Sequence, residues 1–380
     1  MRFEQRFLPV VVLALAAALV LTLGLWAMQK SQLTTSAAKT SSATEDEVIH
    51  WKLVTTWPAN FPGLGTAPVN FAKWVNEASG GRLQIKVYGA GEIVPAFEVF
   101  DAVSQGVAEA GHSAAYYWKG KLPGTVFFTA IPFGMTTQET NAWLHYGGGM
   151  ELWRELYAHA GVVPFAGGST GVQMMGWFNK PIEKPEDING LKMRIPGLAG
   201  EVFNEAGGTA VRLPGSELYT SLQTGVIDAT EWVGPYNDLA FGMHQVAKYY
   251  YYPGWHEPGA MLEFIVNEKA LKALPEDLQT IVRLAARAVN QDMLDEFTAR
   301  NNAALRELVN THGVTLKQMP PAVARRLFEA SQTVMDDLVA DDPMAAKINS
   351  SYQKFLTDVS AYHGLSEQAY INMRSGLLEP

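Results

Sequence analysis

The sequence predicts an α/β protein built from two lobes that face each other across a ligand cleft, followed by a helical C-terminal extension. Three observations support this prediction: strands and helices alternate from residue 48 onward, one helix–glycine–strand unit occurs twice, and long helical periodicity follows Pro275. The chain has 380 residues, which is enough for two lobes of roughly 150 residues each.

Composition excludes several classes of protein. The chain has 38 acidic and 29 basic side chains, a formal net charge of −9, and no cysteine. The acidic balance argues against a basic face that follows nucleic-acid phosphates. The absence of cysteine excludes thiolate catalysis, Cys-ligated metal centres and disulfides. Because the net charge is negative, any anion that this protein binds must be held by a local basic site.

The N-terminal segment has the layout of an export signal. Arg2 and Arg6 precede an uncharged apolar stretch, residues 7–28. Because about 22 helical residues can also cross a bilayer, residues 1–28 are predicted to be either a cleaved signal peptide or a retained N-terminal anchor. Residues 29–47 are rich in Ser, Thr and Ala and are interpreted as a spacer. In a bacterium, this segment places the folded body in the periplasm or on the outer face of the membrane.

The folded body opens with an alternation that is typical of parallel sheets. Residues 48–54 form a strand pattern, and a Pro/Gly loop follows. Phe71, Trp74 and Val75 then share one face of a predicted helix. In residues 82–87 apolar and polar side chains alternate, as in a second strand. Strand, helix and strand in this order indicate a parallel β-α-β unit.

The strongest internal signal is a repeat. Residues 98–110 align without a gap to residues 217–229. In each copy a short helix is predicted to end at a glycine, Gly106 or Gly225, which suits the left-handed position after a helix. Such units can recur by chance in an α/β protein, or they can mark two related lobes. The second interpretation predicts a cleft between the lobes, where small ligands usually bind.

Beyond Pro275 the pattern becomes helical, with segments at residues 278–312, 322–338, 344–362 and 366–377. This tail exceeds what closing a lobe requires, so we expect part of it to brace the lobes or to form a homodimer. The first lobe is assigned to residues 48–171 and 258–302. The second lobe is assigned to residues 172–257 and 303–380, which include the C-terminal helices.

Catalytic motifs are weak. The sequence around Ser169 matches the G-x-S-x-G pattern of hydrolases, but residues 172–178 are predicted to form a strand where a hydrolase needs a helix. The eight histidines form no H-E-x-x-H motif, so a His-based zinc site is not expected. A binding protein is therefore favoured over an enzyme.

Residues 187–196, Gly207-Gly208 and the run Leu-Gln-Thr-Gly-Val-Ile-Asp at residues 222–228 resemble the signature of the DctP-type solute receptors of TRAP transporters. The resemblance implies a two-lobed periplasmic solute-binding fold that closes on a carboxylate. It also implies an arginine that pairs with this carboxylate and, as partners, the membrane subunits of the transporter. Gln173, Arg194, Glu231 and Trp232 resemble the branch that binds 2-oxo acids or lactate together with a metal ion.

The resemblance and the local sequence together assign expected roles to named residues. Arg194 has a planar fork that suits a carboxylate, and with Gln173, Tyr117 and Trp232 it is expected to bind the substrate. Aromatic residues cluster around residues 116–118, 232–236 and 255, and Tyr117 and Trp232 are favoured among them as pocket walls. The resemblance implies Gln173, Glu231 and the Trp232 carbonyl as metal ligands. Glu257 is added to this set because it lies in the loop at residues 254–259, just before a predicted strand. All four offer oxygen donors, which suit a hard cation.

A charge count favours calcium over sodium. Two glutamates and one ligand carboxylate carry −3 and Arg194 carries +1, so a divalent ion brings the site to neutrality. The predicted function is capture of a small 2-oxo or 2-hydroxy monocarboxylate, such as pyruvate or lactate, without catalysis. The alternative is a metal-assisted hydrolase or lyase that uses the same cleft.

Overall fold

The computed structural model describes residues 48–378, together with positions 19, 22–24 and 26, which are helical. The predicted export segment and spacer otherwise lie outside the described residues. Among the described residues, no helix combines the length and the hydropathy needed to span a bilayer. The described residues from Ile49 onward form one compact unit.

The described residues contain strands and helices in alternation. The strands are β1 (Ile49–Thr55), β2 (Leu83–Tyr88), β3 (Ala110–Ser113), β4 (Val162–Ser169), β5 (Gly176–Phe178), β6 (Lys192–Arg194), β7 (Thr209–Val211), β8 (Ala229–Thr230), β9 (Tyr249–Tyr252), β10 (Met261–Asn267) and β11 (Thr315–Gln318). The helices are α1 (Thr66–Ala78), α2 (Val99–Ser104), α3 (Thr137–Tyr146), α4 (Gly149–Tyr157), α5 (Gly197–Glu205), α6 (Leu218–Gln223), α7 (Pro235–Phe241), α8 (Glu268–Ala273), α9 (Glu276–Asn310), α10 (Pro321–Asp341), α11 (Pro343–His363) and α12 (Glu367–Leu378).

These strands form two mixed sheets, one for each lobe. The first sheet has the order β2-β1-β3-β10-β4, and the second has the order β11-β9-β5-β8-β6-β7. In the first sheet β2, β1 and β3 are parallel while β10 runs antiparallel to both of its neighbours. In the second sheet β7, β6 and β8 are parallel while β5 runs antiparallel to both of its neighbours.

The internal repeat is confirmed at the level of topology. The path β1-α1-β2-α2-β3 of the first lobe matches the path β6-α5-β7-α6-β8 of the second, and both place their first strand between the other two. The short helices of the aligned segments are α2 and α6. Each ends just before its predicted glycine, and Gly106 and Gly225 have φ angles of 76° and 73°. The two lobes therefore share one folding unit.

Two short segments join the sheets: residues 170–175 connect β4 to β5, and residues 253–260 connect β9 to β10. The strand predicted for residues 172–178 is restricted to residues 176–178. The backbone N–H groups of Gln173, Met174 and Met175 donate to carbonyls on three separate segments, so they cannot follow one ladder. Ser169 ends β4, its hydroxyl is 2.7 Å from that of Thr137, and no helix follows it, so no hydrolase elbow is formed.

The C-terminal helices form as the periodicity predicts and link the two lobes. The 35-residue helix α9 packs on β4 and α1 of the first lobe and on α7 of the second. Helix α10 packs on α5, whereas α11 packs on α3, α4 and α10. Helix α12 buries none of its residues. The bracing role expected of the tail therefore falls to α9, α10 and α11.

Candidate ligand and cation site

The repeat places functional side chains at the carboxyl ends of parallel strands. Arg194 is the last residue of β6, and Glu231 and Trp232 directly follow β8, the parallel neighbour of β6. In the first lobe Trp57 follows β1 and Tyr117 lies in the turn after β3. Side chains at these ends face the crevice where open α/β sheets bind their ligands.

The remaining predicted residues lie on the segments that join the sheets. Gln173 belongs to the first of them and Glu257 to the second. The two segments are hydrogen-bonded to each other: the Gln173 N–H donates to the Glu257 carbonyl at 3.2 Å, and the Gln173 side-chain amide donates to the Glu257 carboxylate at 2.7 Å. Gln173 and Glu257 are thus held together by backbone as well as side chains.

All the predicted site residues come together around one cavity. Its lining includes Tyr117, Gln173, Arg194, Trp232 and Glu257. Glu231 is not part of the lining but forms an ion pair with Arg194. The volume of the cavity is about 20 Å³, which is room for roughly one water molecule. The two lobes are therefore closed on each other in this structure.

Arg194 is 1% exposed and forms the centre of the site. Its Nη1 donates to the Glu231 carboxylate, its Nε donates to the Leu213 carbonyl at 3.1 Å, and its guanidinium lies 5.1 Å from the centre of the Trp232 ring. Burial opposes the charge, but Glu231 and the neighbouring tyrosines raise the pKa of Arg194 above its usual value. The guanidinium is therefore a permanent buried cation, suited to a carboxylate partner.

An acidic pair lies beside this cation. Glu231 and Glu257 are both buried. The pKa of Glu257 is raised well above its usual value, first by burial and then by the negative charge of Glu231. One arginine cannot neutralise two buried carboxylates, so the site favours one further positive charge.

The donor set fits a metal ion. Glu231, His256 and Glu257 each offer a ligand atom, and these atoms lie within 4.8 Å of one another. The side-chain oxygen of Gln173 is buried and has no hydrogen-bond partner. Two carboxylates and a free amide oxygen are the ligands that hard cations prefer. Gln173, Glu231 and Glu257 thus offer a donor set that suits such an ion.

Sequence reasoning missed His256. Its ring is 1% exposed, both of its nitrogens lack hydrogen-bond partners, and Nε2 lies 3.5 Å from Glu231. Its position next to Glu257 in the sequence was the available signal. Trp57 was also missed, although it lies two residues after the end of β1 and lines the cavity.

Three of the flagged aromatic residues lie outside the cavity lining. The Trp118 indole donates to Glu263 at 2.9 Å in the first-lobe core. The Tyr236 hydroxyl donates to Glu296 on α9. Trp255 packs on Phe133. Tyr117 and Trp232, the two that the sequence favoured, do line the cavity, together with Tyr116.

Two related α/β lobes closed on a buried arginine and an acidic pair define the class of two-lobed solute receptors. Residues 53–342 match the family described as "Bacterial extracellular solute-binding protein, family 7", DctP, and the chain belongs to this family. Its members are extracytoplasmic receptors that serve the membrane subunits of TRAP transporters, so the chain is not an enzyme. The hydrolase or lyase alternative is thereby set aside.

Characterised relatives are similar over most of the chain. A monocarboxylate 2-oxoacid-binding periplasmic protein of Nostoc sp. is 38% identical over 86% of this chain and 89% of its own. A TRAP solute-binding protein of Pseudoalteromonas atlantica, solved with sodium and pyruvate, is 44% identical, with a TM-score of 0.83 over 86% of this chain and 99% of its own. Another from Colwellia psychrerythraea, solved with calcium and pyruvate, is 44% identical, with a TM-score of 0.84 over the same shares.

Proposed function

We propose that this protein captures a small 2-oxo or 2-hydroxy monocarboxylate, pyruvate or a close analogue, together with a cation, and delivers it to the membrane subunits of a TRAP transporter. The observation that carries the proposal is the buried group of Arg194, Glu231 and Glu257 around a cavity shared by both lobes. The ligands of the pyruvate-bound relatives support the same class of substrate.

Arg194 is proposed to bind the ligand carboxylate. In the closed structure its guanidinium pairs with Glu231, and a ligand carboxylate would compete for the same N–H groups. Gln173 is proposed to contact both ligand and cation. Tyr117 and Trp232 wall the cavity, and the Tyr117 hydroxyl lies 3.5 Å from Nη2 of Arg194. These rings exclude water, which strengthens each charged contact.

The cation is proposed to be held by Gln173, Glu231, the Trp232 carbonyl and Glu257. When bound, it supplies positive charge that offsets the acidic pair and attracts the ligand oxygens. The charge count favours calcium over sodium. The two pyruvate-bound relatives hold one ion each of these two kinds.

A thermal-shift screen tests the proposal. Pyruvate, lactate, longer 2-oxo acids and dicarboxylates are added to purified protein with calcium, with sodium alone, and with a chelator. A ligand that binds only the folded state raises the melting temperature. We expect pyruvate-like acids to do so with calcium and to lose the effect in chelator. No shift with any monocarboxylate, in any ionic condition, would contradict the proposed function.

The lobe boundaries stay part of the proposal: residues 48–171 and 258–302 for the first lobe, residues 172–257 and 303–380 for the second. The strands of the two sheets follow this division. Residues 1–28 are proposed to direct export, as a cleaved signal or as an anchor. Mass spectrometry of the protein from the cell envelope distinguishes the two, because cleavage removes the apolar stretch.

A homodimer is also proposed. Tyr370, Leu377 and Leu378 on α12 are exposed, and none of that helix is buried. Such an apolar surface suits a second copy of the chain. Light scattering on the full chain and on a chain that ends at residue 364 tests this: we expect a dimer mass for the first and a monomer mass for the second. A monomer mass for both would contradict the proposal.

A further inference from the structure

Two of the polar contacts that join the lobes outside the ligand cavity lie next to aromatic rings of that cavity, and the first is made by Asn237. This residue lies on α7 of the second lobe and is 0% exposed. Its Nδ2 donates to the carbonyl of Pro62, in the loop between β1 and α1 of the first lobe, at 2.9 Å. Its Oδ1 accepts from the Trp232 indole N–H at 3.3 Å. One buried amide thus connects a cavity-lining ring to the opposite lobe.

The second contact is made by Arg212, which directly follows β7 of the second lobe. Its guanidinium carbon lies 4.0 Å from the centre of the Phe97 ring, which precedes α2 of the first lobe. Its Nη2 donates to the carbonyl of Tyr117 at 3.0 Å. Arg212 therefore holds Tyr117 by its backbone, while the Tyr117 hydroxyl faces Arg194.

The two contacts share one structural feature. Each of the two pocket rings favoured by the sequence is tied to the opposite lobe: Trp232 through Asn237 to Pro62, and Tyr117 directly to Arg212. Neither Asn237 nor Arg212 lines the cavity. We propose that Asn237 and Arg212 are positioning residues that stabilise the closed form and set the rate of ligand release without touching the ligand. This inference rests on the proposed function.

The physical reason is a population shift. A contact that exists only when the lobes are closed adds its free energy to the closed state alone, and ligand affinity scales with the closed fraction. The buried amide hydrogen bond of Asn237, or the guanidinium hydrogen bond of Arg212 together with its cation–π contact, is worth enough to change such a ratio about tenfold. The ligand first meets the open form. Removing either contact should therefore raise the dissociation rate of the ligand and leave its association rate nearly unchanged.

Stopped-flow fluorescence with pyruvate and calcium tests this on wild type, Asn237→Ala and Arg212→Ala. The matched control is Arg306→Ala. Arg306 is an exposed residue of α9, and within the part of the chain that the structure describes its side chain donates a hydrogen bond only to Asn302, on the same helix. For each of the two positioning variants we expect koff to rise about tenfold, with kon changed less than about threefold. The control should match wild type in both rates.

Lobe closure is followed separately by energy transfer between two dyes. The chain has no cysteine, so Glu92→Cys and Glu217→Cys, one exposed position in each lobe, give a single labelled pair. We expect a smaller closed fraction at saturating pyruvate in both variants than in wild type.

Arg212 is exposed, so Arg212→Ala should fold normally even if Asn237→Ala is unstable. An unchanged koff in a folded Arg212→Ala, or a fall in kon alone, would overturn the inference. If wild type itself neither binds nor closes on any 2-oxo acid, the proposed function fails instead.

Discussion

A buried carboxyl in the first lobe gives a quantitative prediction about stability. Glu263 of β10 is 0% exposed, and its two carboxyl oxygens lie 2.9 Å from the Trp118 indole nitrogen and 2.9 Å from the Tyr157 hydroxyl. Burial raises the pKa of Glu263 to about 8, although these two hydrogen bonds lower it. At neutral pH the folded protein therefore holds a proton on Glu263 that the unfolded chain releases.

The direction in which stability changes with pH follows from the pKa of Glu263 in the folded and in the unfolded state. Below about pH 4.5, the usual pKa of Glu, both states are protonated and Glu263 imposes no penalty. As pH rises from about 4.5 to about 8, the unfolded state alone ionises, so the free energy of unfolding falls. At about 1.4 kcal/mol for each pH unit, the loss reaches about 3 kcal/mol at pH 7 and levels off near 5 kcal/mol above pH 8.

Glu263→Gln should remove this penalty. Glutamine has nearly the shape of the protonated acid, its carbonyl oxygen can accept a hydrogen bond as the carboxyl does, and it carries no group that ionises in this pH range. In urea unfolding at pH 5, 7 and 8.5, we expect the variant to gain stability over wild type with each step in pH. Glu77→Gln on the exposed face of α1 serves as the control for a lost surface charge. A difference between variant and wild type that stays constant over this range would refute the reasoning.

Two substitutions near the cavity should act on binding. Arg194→Ala should abolish pyruvate binding in calorimetry and lower the free energy of unfolding by about 3–5 kcal/mol, because buried Glu231 loses its partner; retained micromolar affinity would contradict the assigned role. Gly197→Ala should lower the free energy of unfolding by about 1–2 kcal/mol, because Gly197 has a left-handed φ of 66°. The added Cβ would also lie 3.0 Å from the Tyr116 ring across the cleft. In urea unfolding and pyruvate titration we expect both lower stability and weaker affinity, and wild-type values in both would contradict the close approach.

The repeat made much of the fold predictable from sequence. A helix that ends at a glycine, Gly106 or Gly225, leaves a local chemical signal in each copy, because only glycine adopts the left-handed conformation at low cost. The long helices of the tail follow from apolar periodicity in the same way. By contrast, the sequence does not determine where a chain crosses between sheets. Residues 172–178 carry a strand-like pattern, but in part of this segment the backbone hydrogen bonds go to three different segments.

The candidate site was predictable where a residue type carries its own chemistry. Arg194, Glu231 and Glu257 are charged, and their burial is what brings them together. His256 and Trp57 were not predictable, because their roles depend on which side of a loop faces the cavity. A histidine with both nitrogens unpaired differs from an ordinary core histidine only in its surroundings.

The backbone connections imply an order of binding. Gln173 and Glu257 are paired through their backbones, and the next residue, Met174, donates to the carbonyl of Val233 beside Trp232. The proposed cation ligands are thus fixed to one another and to the second sheet, whereas Tyr117 and Trp57 arrive from the first lobe. Because these ligands are in place without lobe closure, the cation can bind before the organic acid does.

Calcium alone should therefore raise the melting temperature, and pyruvate alone, in chelator, should not. Glu257→Gln keeps the size of the side chain and removes one charge, so it should weaken calcium binding first and pyruvate binding only as a consequence. At saturating calcium its pyruvate affinity should return toward the wild-type value. If pyruvate bound equally well in chelator, or if calcium bound only after pyruvate, the cation would depend on closure and the order argued from the backbone would be wrong.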